Sequence, residues 1–334
     1  QLVVIFEHMH RLQTSRTNGL IRGFLSISIC LLLSCSPDST SNQNSFTPNH
    51  TLIILGTAQD AGYPHIGCEK ACCKKARNTG HSEPVVSLAL VDENDSTWYL
   101  FEATPDITAQ CHYVVSKNRT ITTAIPNGVF LSHAHMGHYT GLMYFGREAI
   151  NTHCIPTYTA PRLKGFLGTN GPWSQLITLN NIELINSKPN NEITLSNDLR
   201  VTPIQVPHRD EFSETVGFKI AGTQKSALFI PDIDKWSKWG KDIAQEIAGV
   251  DLALLDATFY DGNEINNRDI SEIPHPFVIE TMDLLKDLPE SEKAKVHFIH
   301  FNHTNPLLDE NSVASKTVKQ RGFNIARTGM KFGL

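Results

Sequence analysis

The stretch Val129-Phe130-Leu131-Ser132-His133-Ala134-His135-Met136-Gly137-His138 decides the reading of this chain. An apolar run of strand character ends in three histidines within six positions. Imidazoles two residues apart on a loop converge on one cation, so His133 and His135 read as partners. His138, on the next bend, reaches a neighbouring position. Neutral imidazole suits zinc, iron, nickel or copper, and carboxylates add hard oxygen ligands. A lone histidine is usually a satisfied surface or core residue; this cluster reads as a metal site.

The rest of the composition is that of an ordinary globular protein. The 334 residues include 15 His and 7 Cys, 19% charged and 40% hydrophobic residues, and carry a formal net charge of −5. No basic excess is available to neutralise phosphates, so a general nucleic-acid binder is not expected. Leu52–Gly56 reads as a buried strand, and Val85–Val91 with Trp98–Phe101 as a hairpin. Further strands are expected at Ile155–Thr159, Ile182–Ile185, Leu199–Gln205, Val216–Ile220, Ala227–Ile230, Asp251–Asp256 and Val296–Ile299. Helices are expected at 141–150, Ile243–Ile247, Pro276–Leu285 and Ser312–Gln320. Many strands with helices interspersed suggest layered α/β packing.

The amino-terminal segment reads as an address. Arg11, Arg16 and Arg22 precede an apolar core, Gly23–Leu33, which is short for a permanent span. Leu32-Leu33-Ser34-Cys35 resembles a bacterial lipobox. Residues 1–35 are therefore expected to be a lipoprotein signal peptide, with Met9 an alternative start. Residues 36–50, rich in Ser, Asn and Pro, would be a flexible tether, and 51–334 one domain. The expected location is the bacterial cell envelope, periplasmic or outer-membrane, with the membrane reached through a lipid on Cys35.

The histidine cluster resembles the His-x-His-x-Asp-His motif of the metallo-β-lactamase fold. Other stations follow in order: Val206-Pro207-His208-Arg209-Asp210, Phe229-Ile230-Pro231-Asp232, and Phe298-Ile299-His300-Phe301-Asn302-His303-Thr304-Asn305-Pro306. Leu55-Gly56-Thr57, Ala103-Thr104-Pro105-Asp106-Ile107 and His303–Pro306 are similar to segments of the pyrroloquinoline quinone biosynthesis protein B family. Transfer RNA 3′-processing nucleases and the phosphodiesterase of phosphonate breakdown are wider relatives. The resemblance implies an α/β fold, the metallo-β-lactamase αβ/βα four-layer sandwich. It implies that His133, His135 and His208 hold one metal, that His138 and His300 hold a second, and that Asp232 bridges them. The implied activity is that of a metal-dependent hydrolase, a metal-bound hydroxide attacking a phosphodiester or related ester of a small-molecule substrate. A metal-dependent oxidoreductase of the quinone-biosynthesis type, or a non-catalytic ligand-binding member, are the alternatives.

Position 137 is Gly where hydrolytic members of the fold carry Asp. Three arrangements follow: a weaker second metal, another carboxylate in its place, or a mononuclear site. Asp60, in the loop after the first strand, is the candidate replacement. Active-site ions are expected to be Zn2+, with Mn2+ or Fe2+ as alternatives.

Cys68, Cys72 and Cys73 form a second cluster, in Cys-x3-Cys-Cys spacing. Disulfides are one reading for a secreted chain. Three thiolates and one imidazole would instead complete a closed tetrahedral zinc site. Relatives place a histidine three residues beyond the last catalytic one beside such a cluster; here that is His303, which implies a structural zinc at Cys68, Cys72, Cys73 and His303. His275, between two prolines, is implied as a general acid or pocket contact, and with Asp232 completes the catalytic pair. Asp256, and Asp210 or Glu211, are candidates to orient metal-bound imidazoles. Glu102 and Asp106 read as structural, and Trp236 and Trp239 as an amphipathic face.

Overall fold

A computed structural model describes residues 49–265 and 273–334. The segment expected to be a signal peptide, Cys35 and most of the expected tether lie outside the described residues. Among those described, the strands are β1 (His50–Gly56), β2 (Ser87–Asp92), β3 (Thr97–Phe101), β4 (Gly128–Phe130), β5 (Ile155–Thr159), β6 (Ile182–Asn186), β7 (Ile193–Ser196), β8 (Leu199–Val206), β9 (Thr215–Ala221), β10 (Ser226–Ile230), β11 (Leu252–Asp256), β12 (Val296–Ile299), β13 (Asn324–Ile325) and β14 (Lys331–Gly333). They form two seven-stranded sheets, ordered β14-β1-β2-β3-β4-β5-β6 and β13-β12-β11-β10-β9-β8-β7. The helices are α1 (Ala71–Thr79), α2 (Ile107–Lys117), α3 (Met136–Tyr139), α4 (Pro161–Thr169), α5 (Trp173–Thr178), α6 (Ile243–Ala248), α7 (Val278–Leu284), α8 (Glu290–Lys293) and α9 (Val313–Gln320).

The period-two alternation of strand side chains explains the layers. Leu52, Ile54, Leu88, Leu90, Phe101 and Phe130 point from the first sheet toward Val201, Phe218, Phe229, Leu254 and Ile299 of the second. Their neighbours Ile53, Leu55, Ala89 and Val91 point the other way, onto Ile107, Val114, Leu163 and Leu167 of the helices. The second sheet repeats the arrangement with Leu228, Ile230, Ala253 and Leu255 under Ile243, Val278, Met282 and Val318. Two sheets buried on both faces between outer helices make the αβ/βα four-layer sandwich. Both sheets read as near-continuous apolar runs because neither has a solvated face.

Several expectations are corrected. The helix expected at 141–150 is the short α3 followed by a 3-10 turn, Thr140–Phe145. A helix through 141 is displaced because Gly141 backs onto the chain at Ala103 and Thr104, its N–H donating to Ala103 O at 2.9 Å. His50, expected as the last tether residue, instead opens β1, is buried, and pairs with Asp92 at 3.4 Å. Trp236 and Trp239 are core residues, their indoles donating to Thr281 Oγ1 and Gln205 O.

Phe101 is fully buried, stacked on Phe130 at 4.9 Å and edge-on to Phe218 at 5.2 Å. Phe101→Ala opens a cavity between the sheets and is expected to cost about 3–5 kcal/mol. Urea unfolding followed by tryptophan fluorescence would show it as a lowered midpoint with unchanged m-value.

Candidate metal centre

Register brings the chemistry to one end of the sandwich. The parallel pairing of β3 with β4 sets Phe101 beside Phe130, so Glu102 lies next to the start of the histidine loop. The parallel pairing of β10, β11 and β12 aligns Ile230 with Leu255 and Asp256 with Ile299, so Asp232, Asp256 and His300 leave the second sheet together. Ligand groups thus gather beyond the carboxyl ends of parallel strands, where α/β sheets commonly bind ligands.

Asp232 is the centre. Its carboxyl is buried (2% exposed), and Oδ2 lies 3.2 Å from His208 Nε2, 3.4 Å from His133 Nε2, and 4.0 Å from both His135 Nδ1 and His138 Nε2. Ligand atoms of His133, His135, His208 and Asp232 all lie within 4.8 Å of one another, as do those of Asp60, His138 and His300. The two predicted ligand sets are therefore assembled side by side, with Asp232 in reach of both. The inward nitrogens His133 Nε2, His135 Nδ1, His138 Nε2, His208 Nε2 and His300 Nε2 are buried with no hydrogen-bond partner. Buried polar atoms are rarely left so, and five such nitrogens, four of them within 4.0 Å of one carboxylate, fit a metal centre. Burial, then the neighbouring His138, holds His133 well below its usual range, which keeps it in the neutral form a metal needs.

Around these ligands lies a layer of orienting groups. His133 Nδ1 is 2.8 Å from Ser132 Oγ, and His208 Nδ1 is 3.5 Å from Asp234 Oδ1. His138 Nδ1 is 3.3 Å from the fully buried Glu102, whose Oε2 also accepts the Ser132 N–H at 3.4 Å. His300 Nδ1 is 2.9 Å from Thr258 Oγ1, which in turn donates to Asp256 at 2.7 Å. Two of these elements sit in the left-handed backbone region, Glu102 at φ 70° and His300 at φ 68°. Non-glycine residues hold that conformation at a cost and cluster at functional sites. Here the turn directs both side chains to the centre.

His275 enters the centre as expected. Its Nδ1 lies 2.9 Å from Asp256 Oδ2 and 3.0 Å from Asp232 Oδ1. Burial works against its charge, but Asp256 and Asp232 push it up to about 10. Asp256 stands behind His300 through Thr258, where the sequence places an orienting group. Of the two acids after His208, Glu211 reaches His135 Nε2 at 3.2 Å, whereas Asp210 accepts from Thr215 Oγ1 at 3.0 Å instead. The carboxylate beside His208 Nδ1 is Asp234, at 3.5 Å and outside hydrogen-bond geometry; the sequence reading missed it, although its spacing of two from Asp232 on one loop was an available signal. Phe212 and Met136 were also missed. They are 59% and 71% exposed and are the chain neighbours of Glu211 and His135.

The cysteine cluster is partly as expected. The Cys68, Cys72 and Cys73 ligand atoms lie within 4.8 Å of one another, and all three thiols are free. His303 lies outside that converged set of three. Its ring lies tilted against that of His65, 4.4 Å between centroids, while the His65 N–H donates to Cys73 Sγ at 3.4 Å.

A family model described as beta-lactamase superfamily domain matches residues 97–301. The chain belongs to this superfamily. Coenzyme PQQ synthesis protein B of Pseudomonas entomophila (strain L48) is 26% identical over 304 residues, covering 84% of this chain and 99% of the relative. The Zn(2+)-bound PqqB of Methylobacterium extorquens matches with a TM-score of 0.70 at 22% identity, over 85% of this chain and 100% of that one. A diphosphatase from the PhnP family matches with a TM-score of 0.58 at 19% identity, over 85% and 96%. The superfamily match spans β3 to the residue after His300, and so includes His133, His135, His138, His208, Asp232 and His300. Asp60 and the cysteine cluster precede it.

Glu102→Gln keeps the side-chain volume and removes the charge behind His138. Zinc affinity of the centre is expected to fall about 10–100-fold, with the circular dichroism spectrum unchanged. Competition against a chromogenic chelator would measure it.

Proposed function

We propose that the chain is a metal-dependent hydrolase of phosphodiesters or related phosphoryl esters. The observation that carries this reading is the pair of ligand sets meeting at Asp232 Oδ2. When bound there, two divalent ions supply a water acidic enough to act at neutral pH and Lewis-acid stabilisation of the leaving oxygen. The diphosphatase of the PhnP family that shares this fold is in keeping with phosphoryl chemistry. Zinc is the proposed metal, as bound in the Methylobacterium extorquens PqqB.

The chain's own groups have assignable tasks. His133, His135 and His208 hold one side of the substrate site, and His138 and His300 the other. His275 Nδ1 contacts both Asp232 and Asp256, which leaves Nε2 free of these carboxylates. We assign Nε2 as the proton donor to the leaving oxygen. Asp256 and Asp232 favour the protonated ring, against burial. Phe212 and Met136 would face the apolar part of the substrate. The three thiols are proposed to bind a separate structural zinc. His303 is the proposed imidazole, since its Nδ1 is buried without a hydrogen-bond partner and it lines the same cavity as Cys72.

A second reading, a metal-dependent oxidoreductase, is favoured by the similarity to PQQ synthesis protein B over nearly that protein's whole length. The two separate in one experiment. Purified chain loaded with zinc, manganese or ferrous iron is assayed on bis-p-nitrophenyl phosphate and phosphonate monoester reporters, with oxygen uptake recorded in parallel. Turnover under zinc or manganese without oxygen uptake is expected. Uptake by the ferrous chain with no ester turnover would favour the oxidoreductase. His275→Gln is expected to lower kcat about 10²–10⁴-fold with KM and metal content little changed.

The thiol site has its own check. Thiol titration under native conditions is expected to find Cys68, Cys72 and Cys73 unreactive until a chelator is added. If they react freely and the zinc content is unaltered by Cys73→Ser, the structural site is wrong.

A further inference from the structure

The glycine at position 137 leaves the second ligand set one carboxylate short of the pattern it resembles. The structure accounts for the space. A Cβ built on Gly137 would overlap Asp60 Oδ1 and Asp60 Cα, and would meet Asp60 Cβ at 3.0 Å. The volume in which a side chain at 137 would begin is already occupied by an aspartate arriving from β1. Asp60 Oδ1 lies 3.4 Å from His138 Nε2. Asp60, His138 and His300 place their ligand atoms within 4.8 Å of one another. Asp60 Oδ1, His138 Nε2 and His300 Nε2 are all buried without a hydrogen-bond partner, so none of the three is satisfied by the protein alone.

The loop that carries Asp60 is fixed to the segment that carries His300. Phe301 N–H donates to Thr57 O at 2.7 Å, and Gln59 N–H donates to Phe301 O at 2.8 Å. Gly62 N–H then closes the turn on Gln59 O at 2.8 Å. Asp60 and His300 are therefore neighbours through backbone hydrogen bonds made by the residues beside them. An aspartate that had strayed to the site by side-chain rotation would have no such support.

We propose that Asp60 is a ligand of the second metal, with His138, His300 and the shared Asp232, and that it supplies from the β1 loop the carboxylate that position 137 lacks. The centre is then dinuclear despite the glycine, and Gly137 is required because it admits Asp60. This rests on the metal-centre reading above.

The test is a carboxylate exchange read by metal content. The full-length chain and its Asp60→Ala, Asp60→Asn, Gly137→Asp and Asp60→Gly/Gly137→Asp variants are equilibrated with zinc, desalted, and analysed by inductively coupled plasma mass spectrometry. A thiol-blocking mercurial separates the zinc held by the cysteines. The wild-type chain is expected to carry about two equivalents at the histidine centre, and Asp60→Ala and Asp60→Asn about one. Asp60→Asn preserves the side-chain shape, so its loss reports the charge rather than misfolding. Gly137→Asp alone sets two carboxylates in one volume and is expected to lose the second equivalent. The double variant is expected to recover it. Cobalt substitution gives a second readout, since loss of one site removes part of the visible absorption.

Unchanged metal content in both Asp60 variants would overturn the assignment, as would a wild-type centre with a single equivalent that Asp60→Asn retains. Either result leaves the hydrolase reading standing. Absence of ester turnover with about two equivalents bound would overturn the hydrolase reading and leave Asp60 as a ligand.

Discussion

One buried negative charge organises this molecule. The Asp232 carboxylate is 2% exposed, and Oδ2 has four imidazole nitrogens within 4.0 Å. A carboxylate removed from water without compensation costs several kcal/mol. The compensation here is a set of histidines that have no other hydrogen-bond partner on their inward edge. Neither side of that arrangement is comfortable alone: the inward imidazole nitrogens lack hydrogen-bond partners, and Asp232 Oδ2 faces only those unpartnered rings among the described residues. A divalent ion resolves both deficits at once, which is why the centre reads as built for metal rather than as a histidine-rich core.

The sandwich exists, in functional terms, to hold those groups in register. His133, His135, His138 and Asp60 come from the first sheet, and His208, Asp232 and His300 from the second. Between them lies an aromatic core of Phe101, Phe130, Phe218 and Phe229, fully buried. Packing of that density tolerates little sliding, so the relative placement of the two ligand sets is fixed well below them. The backbone cost at Glu102 and His300 is accepted at the same level, where each strand end must turn sharply to face the centre.

Much of this was legible in the sequence because metal ligands are chemically distinctive and sit at strand ends. The histidine loop, His208, Asp232 and His300 needed only residue type, order and an apolar run before each. The inner strands were legible for a related reason: a sheet covered on both faces leaves continuous runs such as Leu52–Leu55. What failed was whatever depended on contacts between distant segments. Residues 141–150 have helical composition, yet Gly141 is pressed against Ala103 and Thr104, which no local pattern announces. α1 was hidden because its cysteines read as chemistry first. The edge strands β7, β13 and β14 are short and partly exposed, so their patterns were too brief to see. His303 was placed by likeness to relatives with a different cysteine spacing, and its ring lies beside His65, outside the three converged thiols. Asp234 was overlooked because acids adjacent to His208 in sequence seemed the natural partners, whereas the loop after β10 passes closer in space.

The pairing of Gly137 with Asp60 has a consequence for how such a chain can change over time. Two positions 77 apart share one volume, so neither is free to vary alone. Acquiring an aspartate at 137 first crowds the pocket; losing the one at 60 first empties it. A lineage passing between the two arrangements must cross a sequence with a compromised centre, or change both residues together. With Asp60 as a ligand, the arrangement in this chain meets the same chemical demand from a different point of the sequence. A signature that insists on aspartate inside the histidine motif would discard this chain as degenerate while its carboxylate sits in place.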